Sequence, residues 1–381
     1  MTLSEMLNNK PPARTDVRTR ADIRRELEQT GAKLVVVDDD PTGTQTVNGI
    51  RVYMDWSVET LSRALSREDA VFYVSTNSRA LSREDMRKLS LQVGDNLKKA
   101  AEGKNLRILM ASRSDSTLRG HYPDEVDALL EGLGGMADGV IIAPALFEAG
   151  RYTIDDIHWV EQAGGLVKAG DTEFARDPAF GYTKSDLKEW VEEKTAGRWK
   201  ARDVLSLSLE TLRTGGPEAA LEILMKARDG VPVVLNAACY ADIETAVAAV
   251  EEAEKRGKKF AYRCAACFVK VRGGFRDKPL LTAADLSIQG GAGLVVVGSY
   301  VGKTSRQLDS LVKSGLCEAV ELQVARLAEG KDAAAAETTR AAALADSALA
   351  RGKTSAVYTS REVRRAEGKD FLDFGNRVMM A

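Results

Sequence analysis

The chain is predicted to fold as an α/β protein of two domains, the first built on a mostly parallel, doubly wound sheet with helices on both faces. Short apolar runs rich in β-branched residues recur at 33–38, 71–76, 106–111 and 139–143. Helical patterns lie between most of them. Such alternation argues for a parallel sheet covered on both sides, where buried strands read as unbroken apolar runs.

Residues 1–30 read as a polar arm leading into a short helix around 22–30. The first strand, 33–38, is followed by a helical pattern at 59–65 and a strand at 71–76. After Ser82 the tetrad SRED supplies a capping box, and Met86, Leu89, Val93 and Leu97 then fall on one helical face. Pro123 opens another helix with an apolar stripe of Val126, Leu129, Leu130 and Leu133. Later strands are predicted at 204–209, 231–236 and 259–265. A glycine- and charge-rich segment from Val271, VRGGFRDKPLLTAADLSIQGGAG, marks a domain boundary. A second α/β unit begins at GLVVVGS, continues through a helix carrying Leu308, Leu311 and Val312 closed by Gly315, then an alanine-rich helix over 331–350 and a strand, SAVYTS.

With 381 residues the chain can bury two cores. Its 54 Lys and Arg balance 56 Asp and Glu, so no global field points to nucleic acid or membrane. No apolar run approaches the ~18 residues of a membrane span, and the N-terminus has no secretory pattern. Four cysteines are no disulfide framework, so a cytoplasmic protein is expected. Two histidines, His121 and His158, are too few for a His-rich zinc centre. Cys264 and Cys267, in RCAACFVKV, read as small core residues of a strand.

In open parallel sheets ligands bind beyond the carboxyl ends of the strands. The four N-terminal strands exit into DDDPTGTQ, STNSRALS, SRSDSTLRGHYPDE and PALFEAGR. These segments mix acids (Asp38, Asp39, Asp40, Asp115) with arginines (Arg79, Arg113, Arg119, Arg151). Singly, each is better explained as a solvated loop residue or a helix cap; the cluster says more. Guanidinium forks match carboxylate or phosphate, and aspartates can hold Mg²⁺ or take a hydroxyl proton. The set suits phosphoryl transfer to a small anionic polyol. A dehydrogenase is the weaker rival, since no G-x-G-x-x-G follows the first strand. GSYVGKTS, at 298–305, is one residue short of a G-x-x-x-x-G-K-[ST] loop, leaving either a phosphate-binding helix N-terminus or a turn capped by Thr304.

DDDPTG, STNSRA, SRSDSTLRG and APALFEAGR, in that order, resemble the N-terminal domain of the four-carbon acid sugar kinase family, and VVVGSYVGKTSRQLDSL and AVYTSRE resemble the start of its C-terminal nucleotide-binding domain. The resemblance implies an acid-sugar-binding domain over 31–285 after the arm at 1–30, and a nucleotide-binding domain over 286–381. It also implies an ATP-dependent, Mg²⁺-requiring kinase for the C4 hydroxyl of D-threonate, D-erythronate or 3-oxo-tetronate. Carried over by position, it places Asp39, Asp40, Arg79, Arg113, Ser114 and Ser116 at the acid sugar, with Arg79 and Arg113 clamping its carboxylate. Asp115 becomes the catalytic base and Ser299 a nucleotide contact; the metal ligands stay unassigned. Arg113 stands where the family usually has lysine, and Thr44 where it often has alanine. The family continues past a segment like LDFGNRV to glycine-rich ATP loops, whereas this sequence ends just after GNRVMM. An incomplete nucleotide domain is therefore expected, and a non-catalytic sugar-acid-binding protein is the alternative. Neither nucleic acid nor membrane is an expected partner, and homo-oligomerisation is left open.

Overall fold

The computed structural model describes residues 1–286 and 290–362, together with 375 and 378. Two compact units emerge, Met1–Lys278 and Pro279–Ala381. In chain order the strands begin with β1 (Lys33–Asp38), β2 (Val52–Tyr53), β3 (Val71–Ser75), β4 (Ile108–Arg113) and β5 (Gly139–Ala143). Next come β6 (Arg151–Ile154), β7 (Ile157–Gln162), β8 (Gly165–Lys168), β9 (Leu205–Leu207), β10 (Val231–Leu235) and β11 (Phe260–Cys264). The second unit holds β12 (Leu294–Val297), β13 (Cys317–Leu322) and β14 (Thr354–Thr359).

Eight strands of the first unit form one sheet, ordered β2-β3-β1-β4-β11-β5-β10-β9. Every pairing in it is parallel, as the alternation of strands and helices predicts. β1 is central: Leu34 pairs with Val71 of β3 on one side and with Leu109 of β4 on the other. The chain thus leaves β1 toward β3 and returns to place β4 on the opposite flank. This reversal opens a crevice at the carboxyl ends of β1 and β4.

Alternate residues of β1 enter different cores, which is why its apolar run is unbroken. Val35 and Val37 pack with Leu61, Phe72, Val93 and Leu97. Leu34 and Val36 pack with Ile23, Leu27, Val247 and Phe268 on the other face. The arm therefore contributes to the core, since Ile23 and Leu27 belong to helix Arg20–Gln29. A further short helix, Leu3–Leu7, precedes it.

Helices Arg83–Ala101 and Asp124–Leu133 approach each other closely through two glycines. A Cβ on Gly94 would lie 2.4 Å from the Leu129 carbonyl oxygen, and one on Gly132 would lie 2.2 Å from that of Leu91. Backbone cannot yield as a flexible side chain can. Gly94→Val is expected to lower stability by about 3 kcal/mol, read as a reduced urea midpoint; an unchanged midpoint would refute this close packing.

Several features depart from the sequence reading. Cys264 ends β11, but Cys267 lies in helix Ala266–Arg272 rather than a strand. Both thiols are buried and free, with pKa values pushed up to about 12 by burial. An antiparallel ribbon, β6-β7-β8, follows the fourth strand exit and was not anticipated. β4 runs two residues later than predicted and carries Arg113 into the sheet.

The second unit has a parallel three-stranded sheet, ordered β12-β14-β13, with helices Gly302–Lys313 and Lys331–Ala350. The strand β13 between these helices was also unpredicted. Of the LDFGNRV stretch only 375 and 378 are described. Among the described residues no helix is long and apolar enough to cross a membrane.

Candidate functional site

β1 delivers Asp38, Asp39 and Asp40 to the crevice in succession, and two arginines meet them. Arg79 arrives from β3 through a turn in which Asn77 has φ 51°, a left-handed conformation that asparagine tolerates. The Arg79 backbone N–H donates to the Asp39 carbonyl at 3.1 Å, fixing the turn over β1. Its guanidinium donates through Nε and Nη2 to the Asp39 carboxylate at 3.0 and 2.5 Å, and through Nη1 to Asp40 at 3.0 Å. All three nitrogens are engaged. Asp39 is fully buried and Asp40 half-buried.

Arg113 stands on the other side, at the end of β4, and its Nη1 donates to Asp38 at 3.0 Å. Its Nε is buried without a partner among the described residues. Burial pushes the Asp38 carboxyl up to about 7; Arg113 opposes this and Asp39 reinforces it. The glycine of DDDPTG has a steric reason here, because a Cβ on Gly43 would fall 1.3 Å from Asp38 Oδ2. A raised folded-state pKa means that the folded protein holds a proton the unfolded chain releases. The associated stability is fully present below the unfolded value near 3.8 and is lost as pH rises through about 7. Asp38→Asn keeps an acceptor for Arg113 and removes this titration. Its thermal midpoint is expected to change less than that of the parent between about pH 5 and pH 8; equal slopes would contradict the assignment.

Asp115 begins the loop beyond β4. Its Oδ2 accepts from the Thr117 hydroxyl and from Arg119 Nε, the latter at 2.8 Å. Burial favours protonation, but Arg119, Arg79 and the Thr117 hydroxyl together hold the carboxyl well below the usual carboxylate range. The loop is fixed through its carbonyls. Ser116 O accepts from His158 Nε2 at 2.7 Å, Thr117 O from the Tyr182 hydroxyl at 2.7 Å, and Arg119 O from Arg263 Nη2 at 3.2 Å. With Nε2 as donor, His158 Nδ1 accepts from the Thr153 hydroxyl at 3.0 Å. Burial lowers this histidine to about 4, so it is neutral near pH 7. The unanticipated ribbon therefore braces the loop that carries Asp115.

These groups border a cleft of about 470 Å³. Of the residues singled out in the sequence, Asp40, Arg79, Arg113, Asp115 and Ser116 line it. Asp39 lies beneath them, holding Arg79. Ser114 is buried with its hydroxyl against Ser112, 3.2 Å away, and does not line the cleft. Arg119, Arg151, Phe174 and the acidic Glu148 also line it, with no role assigned to them from the sequence. Both arginines belong to the strand-exit cluster read from the sequence, though neither was given a role there; nothing in sequence marks Phe174. Among the described residues no group of three or more His, Cys, Asp or Glu is arranged to hold a metal ion.

Ser299 belongs to the second unit, in the turn between β12 and helix Gly302–Lys313. Arg361 Nη2 donates to Ser299 O at 2.6 Å and to the Ser305 hydroxyl at 2.8 Å. The Thr359 hydroxyl holds Gly298 O at 3.1 Å. Among the described residues no side chain caps the helix start at Val301, and none would crowd a Cβ at Gly298. Its first backbone N–H groups can thus take an anion.

Comparison with known proteins agrees with this division. A sugar-binding N-terminal domain matches residues 34–272 and a nucleotide-binding C-terminal domain matches residues 294–378. The chain belongs to the four-carbon acid sugar kinase family. Within reach of this family, D-threonate kinase of Salmonella typhimurium is 26% identical over 265 residues, which cover 70% of this chain and 56% of that enzyme. The chain thus spans little more than half the length of that kinase. A Salmonella typhimurium LT2 structure described as a candidate tRNA synthase matches with a TM-score of 0.55 at 15% identity, covering 87% of this chain and 74% of the other. It supports the fold alone. A Bordetella bronchiseptica domain of unknown function, a domain-swapped dimer with bound citrate, matches with a TM-score of 0.46 at 22% identity, covering 90% and 77% of the two chains.

Proposed function

We propose that this member of the acid sugar kinase family transfers a phosphoryl group from ATP to the C4 hydroxyl of a four-carbon sugar acid such as D-erythronate, D-threonate or 3-oxo-tetronate. The observation that carries the reading is the convergence of Asp40, Arg79, Asp115 and Ser116 on one small cleft at the strand exits of a sugar-binding domain. Its volume, about 470 Å³, suits a small polar metabolite.

Asp115 has the free oxygen such a reaction needs. Oδ2 is occupied, while Oδ1 has no protein partner among the described residues and can accept a hydrogen bond from the C4 hydroxyl. A carboxylate held so acidic is a weak store for a proton. Its role is to aim the attacking oxygen, and phosphoryl transfer depends mainly on positioning and charge stabilisation. Asp40 accepts from a substrate hydroxyl, and the Ser116 hydroxyl donates. Arg79 and Arg113 keep the aspartates beneath the cleft in place, since three of their nitrogens in Arg79 and one in Arg113 already hold carboxylates. ATP would be held at the Ser299 turn by backbone N–H groups of the helix that follows. Mg²⁺ would arrive on the nucleotide phosphates, needing only one or two carboxylates, and would neutralise charge on the transferring group.

The test is ADP release by the purified chain with ATP, Mg²⁺ and each four-carbon acid in turn. Turnover of at least one acid is expected. Calorimetric binding of an acid with neither ATP binding nor turnover would replace this reading by that of a sugar-acid-binding protein.

A further inference from the structure

We infer that Arg151, at the first position of β6, is the group that receives the carboxylate of the substrate; the inference rests on the acid-sugar reading above. Four arginines line the cleft, and their states differ. Arg79 is engaged through three nitrogens by Asp39 and Asp40. Arg113 is buried against Asp38. Arg119 is paired with Asp115 at 2.8 Å and faces Asp177 at 3.6 Å. Arg151 alone of the four has no ion pair with a carboxylate among the described residues, and its Nε, like that of Arg113, is buried with no acceptor there. A guanidinium nitrogen withdrawn from water with nothing to bond is unfavourable, and a ligand carboxylate supplies the missing acceptor.

The surroundings hold Arg151 ready for such a ligand. Its backbone is fixed by reciprocal bonds with Leu146, N to O at 2.9 Å and O from N at 3.2 Å. The Phe174 ring lies 5.8 Å from the Arg151 guanidinium carbon and 5.1 Å from that of Arg119, so two cations share one aromatic surface. Asp115 and Asp177 compensate Arg119, whereas Arg151 has no such ion pair among the described residues. Burial and Arg119 both lower the Arg151 pKa, with Asp115 opposing, in keeping with an incompletely compensated cation. A planar guanidinium fork matches a carboxylate bidentately, which a neutral polyol cannot exploit. The assignment also moves the carboxylate away from Arg79 and Arg113, which the family likeness alone suggested.

The experiment compares calorimetric binding of D-erythronate, D-threonate and the neutral polyol erythritol to the parent protein, Arg151→Gln and Arg151→Lys. Arg151→Gln is expected to weaken binding of the preferred acid by about 10- to 100-fold, leave erythritol binding within about threefold and keep the thermal midpoint. Arg151→Lys, which keeps the charge, is expected to recover part of the loss. Acid affinity unchanged in Arg151→Gln overturns the assignment while leaving the acid-sugar reading intact. Equal losses for acid and erythritol also overturn it, since that pattern reports a disturbed cleft. A parent protein that binds neither acid overturns the acid-sugar reading and this assignment with it.

Discussion

Asp115→Asn is expected to lower the rate of sugar-acid phosphorylation by about 10²-fold, as loss of a group that aims the attacking oxygen should. The substitution preserves shape and leaves an amide oxygen to accept from Thr117 and Arg119, so the loop fixed by His158, Tyr182 and Arg263 should persist. What changes is charge at Oδ1, the oxygen with no protein partner among the described residues. The loss should therefore lie in kcat, with KM for the acid changed much less. Activity surviving within about threefold, under ~1 kcal/mol of barrier, would remove Asp115 from the reaction.

Arg79→Met is expected to produce the largest loss of stability. Asp39 has a side chain only 1% exposed and takes two hydrogen bonds from this arginine. Removing one partner of a buried pair leaves an uncompensated charge and costs about 3–5 kcal/mol. The double variant Arg79→Met with Asp39→Asn should recover much of that stability, since both members of the pair are then neutral. Chemical denaturation of the two variants separates pairing from simple side-chain packing. A double variant no more stable than Arg79→Met would show that charge compensation is not the reason these residues stand together.

The parallel sheet was legible because β1, β5 and β10 are buried on both faces and read as unbroken apolar runs. The polar strand exits were legible for the same reason, since an abrupt change from VVV to DDD marks where the sheet ends. The ribbon of β6, β7 and β8 was harder, because its mixed burial gives short segments with no clean period. One signal was present: Asp155 and Asp156, both at positive φ (55° and 62°), form a two-residue hairpin turn between apolar flanks. Cys267 misled in the opposite sense, its β-rich neighbours being drawn into a helix packed in the core. At the site, residue types announced the chemistry but not the pairing. That Arg79 would bind Asp39 and Asp40 while Arg151 has no ion pair among the described residues depends on side-chain reach across separate strands, which sequence spacing does not encode.

The most direct measurement is a crystal structure of the protein soaked with D-threonate or D-erythronate. The acid is expected in the cleft lined by Asp40, Arg79, Asp115 and Arg151, with its carboxylate on Arg151 and its C4 hydroxyl on Asp115. An acid bound at any other surface, with that cleft empty, would contradict the account.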